Sequence, residues 1–259
     1  MRIAFLTNRT TRHSLPVLRR LIEMPGCELV HTFFYNTLRQ GQDPIWKSLQ
    51  EFGWSGIMSK GWQVATSKVR IQIAHKIIHA ESWARSSYEL AVLKSLPHSV
   101  VQNMNDRASL VQLADLKIDL LVVAICKNIL KSEVLEIPQF GAINIHPSLL
   151  PQYRGPSPAF WALYHRENES GVTLHRMTTK IDQGDIVGQH RFSIKRGWGE
   201  DDIVRKGMEL AAEHLAAAIE TVKKQQRIEI SIEQAEKASY FSYPTASQRR
   251  ELRQIRRGR

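Results

Sequence analysis

The chain has 259 residues, 42% of them hydrophobic and 24% charged, which is close to an ordinary globular protein and far from disordered or collagen-like compositions. No window approaches the roughly 18 uninterrupted apolar residues of a membrane span, and Arg2, Arg9 and Arg12 leave no apolar stretch for a secretory signal, so a cytoplasmic protein is expected. Lys plus Arg outnumber Asp plus Glu by 36 to 25, for a net charge of +11, and such a surface concentrates anions, whether nucleotide, polyglutamate, acidic carrier or nucleic acid.

Met1 to Asn8 is an apolar run from the first residue, followed by Leu15, Val17, Leu18, Leu21 and Ile22 at helical spacing. Pro25-Gly26 closes that helix, and Glu28 to Tyr35 has the β-branched and aromatic content of a second strand. The chain therefore opens with a βαβ unit. Gln42 to Pro97 reads as a largely helical insertion after the second strand, with Trp46, Trp54 and Trp62 followed by a basic run from Lys68 to Lys76. Ile118 to Ile125 is nearly all apolar, the mark of a central strand covered on both faces. Gly141–Ile145, Gly171–Met177 and Asp185–Gln189 are three further strand candidates, and Ile203 to Val222 is a long amphipathic helix. The expected architecture is a Rossmann-like α/β fold, a doubly wound and mainly parallel sheet. Residues 1–240 form one catalytic domain and 241–259 a basic tail, whose six arginines stand against Glu251 alone and are expected to be solvated and frayed.

Several chemistries lack their residues. The first βα turn, Thr7-Asn-Arg-Thr-Thr-Arg12, holds no glycine, so backbone cannot approach a pyrophosphate as in a dinucleotide fold. No phosphate-cradling GxxxxGK[ST] loop is present. Cys27 and Cys126 form no CxxC, and the ten histidines show no metal-ligand spacing, so no metal is expected. Nucleic-acid binding stays open through the basic segments, without any base-reading module.

The informative stretch is Gly141 to Gly155. Here a short apolar strand delivers Asn144 and His146, two positions apart and therefore on one face, before breaking into a Pro-rich loop. Open α/β sheets place ligands beyond the carboxyl ends of their strands, and an amide beside an imidazole can hydrogen-bond a carbonyl oxygen as it becomes negative. Asp182 and Asp185 offer a carboxylate to fix the histidine's tautomer or raise its pKa, and Gly184 permits a tight turn beside them. The alternative is an ordinary strand end, with His146 bonded to backbone and Asp182 capping a turn.

The blocks Asn144-Ile-His-Pro-Ser-Leu-Leu-Pro151, Tyr153-Arg-Gly155, Gly171-Val-Thr-Leu-His175 and Asp182-Gln-Gly-Asp-Ile186 resemble, in order and spacing, the formyltransferases that use 10-formyltetrahydrofolate. That family includes glycinamide ribonucleotide transformylase and the catalytic domain of methionyl-tRNA formyltransferase. The resemblance implies that Asn144, His146 and Asp182 are catalytic, and that formyl passes from 10-formyltetrahydrofolate to the amine of a small, anionic or carrier-linked acceptor. It implies a pterin pocket formed by Asn128, Ile129 and Leu130 with Met177, Thr178, Thr179, Lys180 and Ile181. Lys127 stands where many members have glycine, and would either crowd that pocket or attract the acidic folate tail. Ser148 and Arg154 fall in the loop flanking the acceptor, Arg154 being either an anion contact or a solvent-facing charge, while Asp185 and His175 are expected to be structural. The short stretch after Lys224 leaves no room for the β-barrel of methionyl-tRNA formyltransferase, which disfavours tRNA. A hydrolase passing formyl to water would use the same residues, with relatives that carry an added N-terminal domain. An idle RNA- or carrier-binding protein of this fold is the other alternative.

Overall fold

A computed structural model of the chain describes residues 1–36, 66, 84–229 and 235–257. The sequence-predicted helical insertion of 42–97 lies mostly outside the described residues. At its end, helix α2 (Ser87–Leu93; α1 is Leu15–Glu23) begins where the Ser86 hydroxyl accepts the Glu89 N–H at 3.2 Å.

Seven strands form one sheet: β1 (Arg2–Asn8), β2 (Glu28–Tyr35), β3 (His98–Val101), β4 (Leu120–Ala124), β5 (Ala142–His146), β6 (Glu169–Arg176) and β7 (Ile186–Ser193). Their spatial order is β3-β2-β1-β4-β5-β6-β7. The first five pair in parallel, whereas β6 and β7 join antiparallel at one edge. The chain reverses its direction of winding between β1 and β4, so the carboxyl ends of β1, β4 and β5 open together on one end of the sheet.

The sheet faces follow strand alternation. Ile3, Phe5, Leu120, Val122, Ile143 and Ile145 pack with α1 and with α6 (Glu200–Lys223). On α6 the buried positions Ile203, Gly207, Met208, Ala211, Leu215, Ala218, Ile219 and Val222 recur at helical spacing. Ala4, Leu6, Leu121, Val123 and Ala142 face the other way and pack with residues of α3 (Arg107–Asp115) and α4 (Ser132–Leu135). Completely burying one such Leu, Ile, Val or Phe is worth roughly 1.5–3 kcal/mol. Helix α5 (Pro158–Tyr164) anchors a third, aromatic cluster with Tyr153, Phe160 and Trp161.

The expectation of a frayed tail is corrected at this cluster. Residues 246–257 form helix α7 (Ala246–Arg257), and Leu252 is buried to 5% exposure among Tyr153, Phe160 and Trp161. Glu251 accepts a hydrogen bond from the Tyr164 hydroxyl, and Arg249 lies 3.6 Å from Glu200. Leu252 docks despite the surrounding arginines because it reaches the aromatic cluster, while Arg249, one turn earlier, finds Glu200 and lies over the Phe160 ring at 5.3 Å. Among the described residues, no helix is long and apolar enough to cross a membrane.

Candidate active site

Strand β5 ends the short apolar run Ala142–Ile145, and its buried neighbours β4 and β6 hold it in register. Asn144 lies directly opposite His175 of β6, and His146 opposite Thr173, so these four side chains share one sheet face. That is the face of Val123 and Ala142.

Thr173 organises the loop that follows. Its hydroxyl donates to the Ser148 carbonyl at 2.7 Å and accepts the Leu150 N–H at 3.1 Å. Gln189 of β7 adds a bond to the Leu150 carbonyl at 2.8 Å. The loop then turns through Tyr153, whose φ of 57° lies in the left-handed region, and its carbonyl faces back toward the strand end.

His146 is buried, with a polar neighbour facing each ring nitrogen. Nε2 is 3.0 Å from the Tyr153 carbonyl, which can only accept, so the proton resides on Nε2 in the neutral ring. Nδ1 faces Asp182 Oδ2 at 3.7 Å. Burial pushes the His146 pKa below its ordinary 6.5, against the opposing pull of the Asp182 charge and the Tyr153 carbonyl.

Asp182 arrives from the β6–β7 connection, which folds back over the sheet face. Gly184 makes this possible, because a Cβ there would stand 1.8 Å from the Arg176 carbonyl. Asp182 itself has φ 51°, a conformation its short polar side chain tolerates. Its side chain is 11% exposed, accepts the Gly155 N–H at 2.8 Å, and lies 3.6 Å from His175 Nε2. Burial alone would raise its pKa, but the nearby His175 and His146 rings and the hydrogen bond from the Gly155 N–H outweigh it and bring it to about 2. It is a carboxylate at neutral pH.

His175, expected from sequence to be a packing residue, is part of this cluster. Its Nδ1 bonds the Arg176 carbonyl at 2.9 Å, so Nδ1 carries the proton and Nε2 is left to accept the Asn144 amide N–H at 3.2 Å. This fixes which end of the Asn144 amide points inward and leaves its second N–H as a donor. The pairing of β5 with β6 was the missing signal: Gly171–Met177 and Gly141–Ile145 are both legible as strands, but only their antiparallel register brings His175 opposite Asn144.

The remaining sequence-predicted residues are distributed around this centre. Asn128 accepts the Met104 N–H at 2.6 Å, and Asn105 bonds both the Ile129 carbonyl and the Lys131 N–H at 2.8 Å. Leu130 is buried, while Ile129 is 63% exposed. In the other segment, Met177 packs on the core and bonds the Ala142 carbonyl through its N–H, Thr178 and Lys180 exchange hydrogen bonds, Thr179 is exposed, and Ile181 is 41% exposed. Both segments thus combine a fixed backbone with an apolar side chain left open, a chemistry that suits a flat heteroaromatic ring. Ser148 is buried with its hydroxyl donating to the Gln152 carbonyl, and Arg154 is engaged by Ser239 through backbone and side chain. The Lys127 ammonium lies 5.0 Å from the ring centre of Tyr243, and Asp185 forms an exposed ion pair with Arg227. Among the described residues, no group of three or more His, Cys, Asp or Glu side chains could hold a metal ion.

The profile of the formyl transferase family matches residues 58–219, more than half of the chain. Over 134 residues the sequence is 37% identical to the bifunctional polymyxin resistance protein ArnA of Wigglesworthia glossinidia brevipalpis, a stretch that is 49% of this chain and 20% of that relative. The chain thus spans about one fifth of that relative's length. Glycinamide ribonucleotide transformylase 1 from Symbiobacterium toebii shares the fold with a TM-score of 0.60 at 17% identity, over 88% of this chain and 91% of its own. A sugar N-formyltransferase from Shewanella sp FDAARGOS_354 does so with a TM-score of 0.56 at 17% identity, over 98% and 87%. WlaRD, a sugar 3N-formyl transferase crystallised in the presence of dTdp and 5-N-Formyl-THF, gives 0.53 at 19% identity, over 93% and 69%.

Proposed function

Since this chain belongs to the formyl transferase family, we propose that it moves a formyl group from 10-formyltetrahydrofolate to the amine of a small anionic acceptor, using Asn144, His146 and Asp182. The observation that carries the reading is the convergence of these three side chains, with Asp182 Oδ2 3.7 Å from His146 Nδ1 and Asn144 two residues away on the same strand face.

The geometry supports a division of labour between Asn144 and His146, to which the sequence assigned one task. The inward N–H of Asn144, oriented by His175, donates to the formyl oxygen as that oxygen gains negative charge. The Nε2–H of His146 is committed to the Tyr153 carbonyl, so its free nitrogen, Nδ1, faces Asp182 and serves the proton. The donor supplies the one-carbon unit as an N-formyl group. As the acceptor nitrogen forms its bond to the formyl carbon it must lose one proton, and the folate nitrogen that departs must gain one. The Asp182–His146 pair is placed to hold that proton between the two events. The Asn128–Leu130 and Met177–Ile181 segments hold the pterin by backbone groups and by Ile129 and Ile181.

An anionic acceptor follows from the +11 charge. Amino-sugar nucleotides suit that class, as do carrier-linked amines. Incubation with 10-formyltetrahydrofolate and a panel of such amines, following tetrahydrofolate release, tests the reading. Amine-dependent release supports it. Release at the same rate without any amine identifies a hydrolase, and no release with any acceptor overturns the assignment.

A further inference from the structure

The loop carrying the Tyr153 carbonyl and the Gly155 N–H is held in two halves by different parts of the chain. Thr173 and Gln189 fasten Ser148 and Leu150. Beyond Leu150, a further set of bonds comes from Ser239 and Phe241. The Ser239 N–H donates to the Pro151 carbonyl at 3.1 Å, the Ser239 carbonyl accepts the Arg154 N–H at 3.0 Å, and the Phe241 N–H donates to the Arg154 carbonyl at 3.0 Å. Arg154 and Tyr240 thereby form a parallel bridge. The Ser239 hydroxyl accepts the Tyr153 N–H at 3.0 Å.

The fit is close. Gly155 has φ +107°, and a Cβ there would stand 2.2 Å from the Phe241 carbonyl oxygen. The Phe241 ring stacks on Tyr153 at 5.6 Å and on Trp161 at 4.7 Å, and the Trp161 indole donates to the Ser242 carbonyl. A left-handed Tyr153 persists only where its surroundings over-determine it, and its N–H, its ring and the following peptide are all engaged by this segment.

We infer that Ser239–Phe241 is a strap that sets the protonation geometry of the site, with Ser239 a positioning residue acting through Tyr153 and Gly155. The inference rests on the proposed roles of His146 and Asp182. The Tyr153 carbonyl takes the Nε2 proton of His146, which leaves Nδ1 for Asp182, and the Gly155 N–H holds the Asp182 carboxylate from the other side. Were the strap released, the Tyr153 carbonyl would turn away, and His146 could carry its proton on Nδ1, where it would pair with Asp182 and be withdrawn from transfer.

The ring nitrogens of His146 in the full-length, nitrogen-15-labelled chain test this at about pH 8, where a histidine of ordinary pKa or lower is neutral. The wild type shows the Nε2–H tautomer alone. Ser239→Ala shows a mixture and lowers kcat roughly fivefold, the worth of one net hydrogen bond, with KM unchanged, and Ser239→Thr, which keeps the hydroxyl, restores both. A single tautomer or an unchanged kcat in Ser239→Ala overturns the inference, since a merely structural contact would lower Tm alone. Should that variant not fold, hydrogen exchange of the wild type decides. The amides of Tyr153, Gly155 and Phe241 open as one unit with protection agreeing within roughly tenfold, and a spread beyond roughly a hundredfold overturns the strap. Both measurements stand without turnover, so an inactive wild type with a single His146 tautomer refutes formyl transfer and leaves the strap supported.

Discussion

Asn144 and His175 face each other across the β5–β6 ladder, with the Asn144 amide 3.2 Å from a ring nitrogen whose partner nitrogen is anchored to the Arg176 carbonyl. The histidine therefore decides the orientation of the asparagine. Asn144→Ala removes the donor to the developing negative oxygen and should cost roughly 10²–10³ in kcat. His175→Ala frees the amide to rotate and should cost less, roughly tenfold. Because both act through one N–H, the double variant should be no slower than Asn144→Ala. Multiplicative losses in steady-state kinetics would show that His175 acts on its own.

Asp182→Asn keeps the shape of the side chain and removes its charge. It should lower kcat by roughly 10²–10⁴, the range of a positioned acid or base, while the bond from the Gly155 N–H persists. Turnover within about threefold of the wild type would exclude a proton role for this carboxylate.

Gly184 and Gly188 offer a matched pair of stability tests. A Cβ at Gly184 collides with the Arg176 carbonyl, whereas at Gly188 the nearest atom, of Leu174, is 3.5 Å away. Gly184→Ala should destabilise by about 1–3 kcal/mol as the β6–β7 connection shifts. Gly188→Ala should leave Tm unchanged or slightly raised. Thermal melts of the two variants check the contrast, and equal Tm values would contradict it.

The buried histidines set a pH window. Burial lowers the pKa of His146, and burial followed by the His98 charge lowers that of His31, both from 6.5. The folded state resists protonating them, so the unfolded chain binds more protons as pH falls. Their contribution is complete above about 6.5 and is lost as pH drops toward and through the lowered folded values. Asp182, lowered from 3.8 to about 2, adds stability present above 3.8 and lost as pH falls through about 2. Tm should decline between about pH 7 and 5, and His146→Asn should flatten that decline. A decline of the same steepness in the variant would assign it to other groups.

How much of this was legible beforehand depended on whether the partners were neighbours in sequence. Strand β5 and its Asn144 and His146 could be read because periodicity and the following Pro-rich loop are local features. Asp182 was legible from its glycine-bearing turn and from the motif it belongs to. His175 was not, because low exposure and an apolar context look like packing until the register opposite Asn144 is known. The strap was missed for a related reason: Ser239 and Phe241 lie far along the chain from Tyr153, and their bonds to the loop are mostly backbone bonds, which leave no mark on residue type. Helix α7 carried a weak signal, since Leu252 and Ile255 are three apart on one face, but the arginines around them masked it. The Trp-bearing stretch within 42–97 lies outside the described residues.

The central claim is that Asn144, His146 and Asp182 together transfer a formyl group to an amine. Its most direct test is a single-turnover reaction of enzyme in excess over 10-formyltetrahydrofolate with an amine acceptor, read by mass spectrometry of the product, for the wild type and for His146→Ala. The account predicts an acceptor heavier by one formyl group and a stoichiometric release of tetrahydrofolate in the wild type, with neither in the variant. Formylated acceptor appearing at the wild-type rate from folded His146→Ala would contradict it.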